Sequence, residues 1–176
     1  MSKNDRAHRM HLAALDIVLD NVTFPAKGCE VGVLRGELTS KLLAKFPELT
    51  MYMADPYLMD KGKRPHEVMM KIMSTAFTNT LPFANRRIML VGTSTQVVHL
   101  IEDESLDFVY IDARHSRRAV KIDIGTWFPK VKKGGLVSGH DYSLTYNHGV
   151  KKSVDEFAAK NGYEVQVELT NWWFVK

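Results

Sequence analysis

Short apolar runs alternate with segments of helical period along the whole chain, and no other feature narrows the fold as much. Met10, Ala14, Ile17 and Val18 recur at spacings of three and four, which predicts an opening helix over 5–21. Apolar runs at 28–33, 50–54, 87–92, 106–112 and 134–139 predict five buried strands. The helices between them are marked by their stops. Leu38 to Phe46 ends at Pro47, Val68 to Phe77 ends before Pro82, and Val120 to Phe128 ends at Pro129. Val97, Val98 and Ile101 predict a shorter helix, and Val150, Val154 and Phe157 a last one that closes at Gly162. Residues 163–169 and 171–175 then read as a closing hairpin of two strands. Strands alternating with helices predict an α/β fold, a parallel sheet covered on both faces and doubly wound by right-handed crossovers. No repeat, low-complexity tract or linker divides the chain, so residues 1–176 read as one domain. In such sheets ligands bind beyond the carboxyl ends of the strands. Chemistry is therefore expected there.

The composition excludes several classes. Basic and acidic residues number 24 and 20, a net charge of +4 that does not suggest nucleic-acid binding. The basic residues fall in short clusters at 61–64, 117–118, 130–133 and 151–152, read mostly as solvated helix faces and loop ends. Cys29 is the one cysteine and lies in an apolar run, so a buried, inert thiol in a reducing compartment is expected. The charged start MSKNDRAHRM lacks the apolar stretch of a signal peptide, and no apolar run approaches the ~18 residues of a membrane span. A cytoplasmic protein is the expectation.

The strand ends carry the polar residues that matter. Glu30, Gly32 and Gly36 close the first strand, and Asp55 closes the second, 19 residues past Gly36. A glycine turn followed by an acid at the next strand end fits a nucleoside, the acid accepting from the ribose hydroxyls. A tight turn and a loop brace would leave the same residues. The glycine spacing is not the G-x-G-x-x-G of dinucleotide turns. Glu30 also stands where a pyrophosphate would lie. A carboxylate there suits a cationic ligand better, such as the ammonium and sulfonium of S-adenosyl-L-methionine, and argues against NAD.

E-V-G-V-L-R-G (30–36) resembles the first motif of class I S-adenosylmethionine-dependent methyltransferases. A-D-P-Y (54–57), I-D-A-R-H-S (111–116) and G-G-L-V-S-G-H-D-Y (134–142) resemble, in the same order, further motifs of their small-molecule O-methyltransferase branch. The resemblance implies a Rossmann-like sheet of seven strands, order 3-2-1-4-5-7-6, with strand seven antiparallel. It implies that Gly32 and Gly36 shape the methionine pocket and that Glu30 helps position it. Asp55 would hold the ribose, Thr93 and Ser94 would sit by the adenine, and Asp112 would lie near the methyl group. The sequence departs from the pattern at Ala113 and Arg114, where the family carries Gly-Asp, and at Arg117, where it carries an aromatic. Arg114 and Arg117 then imply an anionic substrate or an altered loop.

Methyl transfer to a hydroxyl needs the acceptor aligned and its proton removed. His115 and His140 are the candidate bases; a brace role for either stays open. Asp112 and Asp141 close neighbouring strands in the implied order and are the candidate ligands of Mg2+ or another divalent cation. Tyr146 and His148 are further candidates for the acceptor pocket. The acceptor site is expected between the N-terminal helix (residues 1–25), the loops at 56–66 and 142–149, or a second copy, which favours a small molecule and leaves a homodimer open. A nucleic-acid methyltransferase and a nucleoside-binding protein without catalysis are the alternatives. Against the former, no N-P-P-Y or D-P-P-Y run follows the fourth strand.

Overall fold

The computed structural model describes residues 3–58, 65–143 and 148–176. The elements follow the predicted alternation: α1 (Lys3–Asn21), β1 (Ala26–Val31), α2 (Glu37–Lys45), β2 (Leu49–Asp55), α3 (His66–Thr80), β3 (Arg87–Val91), α4 (Ser94–Val97), β4 (Leu106–Ile111), α5 (Arg117–Trp127), β5 (Val131–Gly139), α6 (His148–Asn161), β6 (Gln166–Glu168) and β7 (Asn171–Val175). The seven strands form one sheet in the order β3-β2-β1-β4-β5-β7-β6. β1, β2, β3, β4 and β5 pair in parallel, and β7 lies antiparallel to both β5 and β6. The expected fold class and strand order are thus observed. Among the described residues no helix is long and apolar enough to cross a membrane.

The period of two along each buried strand sends alternate side chains to opposite layers. Cys29 and Val31 of β1 join Val109 and Ile111 of β4 in a core closed by Val120, Ile124 and Trp127 of α5 and Val154 of α6. Phe108 and Tyr110 of β4 face the other way, onto Ala14 and Val18 of α1 and Leu38 and Leu42 of α2. Glu30 lies between Cys29 and Val31, so the same alternation turns it toward α2. At the far end of the sheet Arg86 donates to the carbonyls of Leu43, Phe46 and Leu49, satisfying the C-terminal end of α2 and its link to β2.

β1 lies two residues earlier than predicted, and two strands differ more. β6 spans three exposed residues rather than 163–169. The backbone of Tyr163 closes α6 by donating to Ala158, and its ring stacks on Phe174, so those residues pack under the hairpin instead of extending it. β5 starts at Val131, three residues before the predicted run, across a register shift between Leu106 and Phe108. Lys132 pairs with Asp107 at 2.6 Å in that irregular stretch, which the polar letters Lys132 and Lys133 concealed. The predicted short helix is one turn, Ser94–Val97, followed by a tighter turn over Val98–Leu100.

Candidate active site

The mouths of β1, β2, β4 and β5 open onto one cavity of about 960 Å³, at the upper end of the size of small-molecule sites. Three non-glycine residues beside it, Leu34, Tyr57 and Asp141, hold positive φ angles of 50°, 45° and 61°. Backbone strain of this kind collects at functional sites.

Glu30 and Asp55 line the cavity on the β1–β2 side. Glu30 is buried and accepts from the amide of Thr39 at 3.1 Å and from the Thr39 hydroxyl. Burial pushes its carboxyl up to about 8, against those hydrogen bonds. Asp55 accepts from the amide of Leu34 at 3.0 Å and from that of Tyr57 at 2.8 Å. Its carboxylate ties the β1 turn to the β2 turn. Gly32, at φ 92°, lies so close to β4 that a Cβ there would stand 2.3 Å from the carbonyl oxygen of Asp112. Gly36, at φ 69°, opens α2 and does not line the cavity.

The predicted adenine pair separates. Thr93 lines the cavity, but its amide and hydroxyl both donate to the side chain of Gln96, at 2.9 and 2.7 Å. Ser94 donates to Asp123 of α5 at 2.6 Å and is not on the cavity wall. Gln96 and Asp123 were not singled out by the sequence.

On the β4–β5 side two carboxylates and two imidazoles form a cluster. His115 spans from Asp112, at 3.5 Å from Nε2, to Asp141, at 3.1 Å from Nδ1. His140 turns Nδ1 toward Asp141 at 3.4 Å and Asp112 at 3.7 Å, and its Nε2 lies 2.9 Å from the Thr170 hydroxyl. Burial acts to raise the Asp112 pKa, yet the two imidazoles outweigh it and hold the carboxyl below its ordinary value. For His140, burial acts to lower the pKa, and the carboxylates of Asp112 and Asp141 outweigh it and raise it. Both ring nitrogens of each histidine are thus engaged. The helix that follows is capped by Ser116, which accepts from the amide of Ala119, so His115 is not its cap.

Asp112, His115 and Asp141 each offer a ligand atom within 4.8 Å of one another. Two carboxylates and an imidazole fit a divalent cation.

Arg114 lines the cavity, whereas Arg117 turns to α6 and pairs with Glu156. Arg117 belongs to the packing of α5 on α6, not to a substrate site. His11 of α1 also lines the cavity, with its Nδ1 2.8 Å from Lys41 Nζ. The sequence held a signal for it: His11 shares the helical face of Ala14, Leu15 and Val18, a polar residue on a buried stripe. Tyr146, residues 59–64 and residues 144–147, which include much of both expected acceptor loops, lie outside the described residues, as does the side chain of His148.

The chain belongs to a family of methyltransferase domains, whose model matches residues 29–142. Among solved structures it is similar to the O-methyltransferase NovP, at 19% identity and a TM-score of 0.68, over 97% of this chain and 79% of that one. It is likewise similar to CalS11, a TDP-rhamnose 3'-O-methyltransferase of calicheamicin biosynthesis, at 15% identity and 0.67, over 97% and 80%. Fibrillarin from Aeropyrum pernix, solved with natively bound S-adenosyl-L-methionine, shares the fold at 14% identity and 0.56, over 88% and 67%. A curated relative, the uncharacterized protein y4gI of Sinorhizobium fredii, is 35% identical over 72 residues. That match covers 40% of this chain and spans about 8% of the length of y4gI.

Proposed function

We propose that the chain transfers a methyl group from S-adenosyl-L-methionine to a hydroxyl of a small molecule. The observation that carries this reading is one cavity with two unlike ends: Glu30, Gly32 and Asp55 at one, and the Asp112, His115, His140 and Asp141 cluster at the other. The first end suits a cationic nucleoside. Asp55 would take the ribose and Glu30 the methionine end, with Gly32 giving the backbone its close approach. The second end suits removal of a proton. Transfer is an in-line displacement, so the chain's main task is to hold the acceptor oxygen facing the methyl carbon. The acceptor proton leaves to the carboxylate–imidazole cluster. His115 is its more open imidazole, 37% exposed against 21% for His140. Calorimetry with S-adenosylhomocysteine and with NAD tests the reading. Binding of the first and not the second is expected; the reverse sinks it.

A divalent cation at Asp112, His115 and Asp141 belongs to the same proposal; with it bound, His115 would be a ligand and His140 the imidazole left to take the acceptor proton. When bound it would lower the pKa of the acceptor hydroxyl. The imidazole in the set points to Mn2+, Fe2+ or Zn2+ rather than to Mg2+, which favours oxygen ligands. Mn2+ titrated into the protein will bind, and Asp141→Ala will remove that binding together with the sensitivity of transfer to chelator. Equal binding by both proteins rejects the site.

Glu30 gives the proposal a pH signature. With no cation beside it, the carboxyl keeps its proton up to about pH 8. A ligand ammonium or sulfonium favours the ionised form, so below that pH binding expels a proton. Affinity for S-adenosylmethionine will rise with pH, by up to about tenfold per unit between about pH 6 and 8, and level off above. Glu30→Gln will flatten the profile. A wild-type profile already flat across that range counts against the role given to Glu30.

A further inference from the structure

The opening helix brings a side chain to the cavity that none of the motifs contains. His11, half-buried on α1, stands on the cavity wall together with Asp112 and His140. The charges of both reach it. Behind it, Lys41 of α2 brings Nζ to 2.8 Å from Nδ1. An ammonium has protons to give and no lone pair to accept with, so in this contact Nδ1 must be the acceptor. A neutral ring that accepts at Nδ1 carries its proton at Nε2. Burial first, and then the Lys41 charge, hold the imidazole below its ordinary pKa, against the opposing charges of Glu37 and Asp112. His11 is therefore a fixed donor at neutral pH rather than a base.

The geometry points to His11 as the group that positions the methyl acceptor, donating from Nε2 to a second oxygen of that molecule while Lys41 locks the tautomer. This rests on the methyltransferase reading and deepens it. The acceptor class is a hydroxyl compound with another hydrogen-bond-accepting oxygen beside the one that reacts. That second oxygen belongs to a carboxylate or to a neutral carbonyl, and both would find the same donor. Lys41 favours the carboxylate, and Glu37, which lines the cavity beside His11, opposes it. An ammonium against either ring nitrogen fixes the proton on the other, so the contact of Lys41 with Nδ1 sets the tautomer as well as packing α2 on α1.

The test has a part that needs no ligand. In protein labelled with 15N at histidine, long-range 1H–15N spectra at pH 7 will show His11 as the Nε2–H form. Lys41→Met will mix in the other tautomer. An Nδ1–H or doubly protonated ring in the wild type overturns the proposal. The second part titrates 2-hydroxybenzoate, 2-hydroxybenzamide and phenol into protein saturated with S-adenosylhomocysteine. The two probes with a second oxygen will bind about tenfold more tightly than phenol and shift the Nε2–H resonance. His11→Ala will erase that preference, and His11→Gln, which keeps a donor, will restore part of it. The ratio between the two oxygen-bearing probes tells whether carboxylate or carbonyl is preferred. A preference that survives in His11→Ala overturns the proposal, provided the variant still binds S-adenosylhomocysteine; His11→Gln serves the same comparison if the alanine variant does not fold. Failure of the wild type to bind S-adenosylhomocysteine sinks the methyltransferase reading instead, and the tautomer measurement is unaffected by it.

Discussion

Asp112→Asn will lower methyl transfer by about a hundredfold or more, the range lost when acid–base machinery is removed. The substitution keeps the shape and deletes the charge around which the cluster is organised. Asp112 faces His115 and His140, and its side chain is the chief influence raising the pKa of His140 against burial. Without it that pKa will fall, since burial then acts with less opposition. Two measurements check this: the rate on any accepted hydroxyl compound, and the titration of the His140 ring followed by NMR. Full activity with an unmoved His140 titration would show that Asp112 is no part of the machinery.

Gly32→Ala will damage both stability and cofactor binding. The added carbon would meet backbone on the neighbouring strand, the Asp112 carbonyl oxygen at 2.3 Å and the Ala113 Cα at 2.6 Å. Neither can swing aside as a side chain could. Gly32 is tied to Ala54 and Asp112 to Val31, each by a 2.8 Å backbone hydrogen bond. The φ of 92° adds strain of its own for any residue with a Cβ. Together these cost about 2–4 kcal/mol. Urea unfolding will show the loss, and calorimetry will show S-adenosylhomocysteine binding weakened or gone, because relief requires the β4 mouth to move. An unchanged midpoint and affinity would mean that the two strand mouths are not packed as described.

Most of the fold was legible because it rests on period and punctuation. The prolines at 47, 82 and 129 and the apolar runs locate the elements to within a few residues. β6 misled because Val165 and Val167 alternate as a strand would, while the backbone of Tyr163 is taken by the helix end. The candidate site was legible where one residue closes one strand, as at Asp55 and Asp112, both of which line the cavity. It was not legible where a side chain is taken by a partner distant in sequence. Ser94 is held by Asp123, 29 positions on, and Arg117 by Glu156, 39 positions on. For His11 the helical face gave a signal, but its contact with Lys41, 30 positions away, did not show.

The buried carboxyl of Glu30 turns occupancy of the cavity into a proton count. Burial keeps its proton on up to about pH 8, and on the proposed role of Glu30 a cationic ligand would expel it at neutral pH, so each binding event would acidify the solution by a fraction of one equivalent set by the pH. Heats of binding will then differ between buffers in proportion to the buffers' own ionisation enthalpies. In a weakly buffered solution a pH indicator will follow cofactor uptake with no label and no acceptor, and Glu30→Gln will silence it.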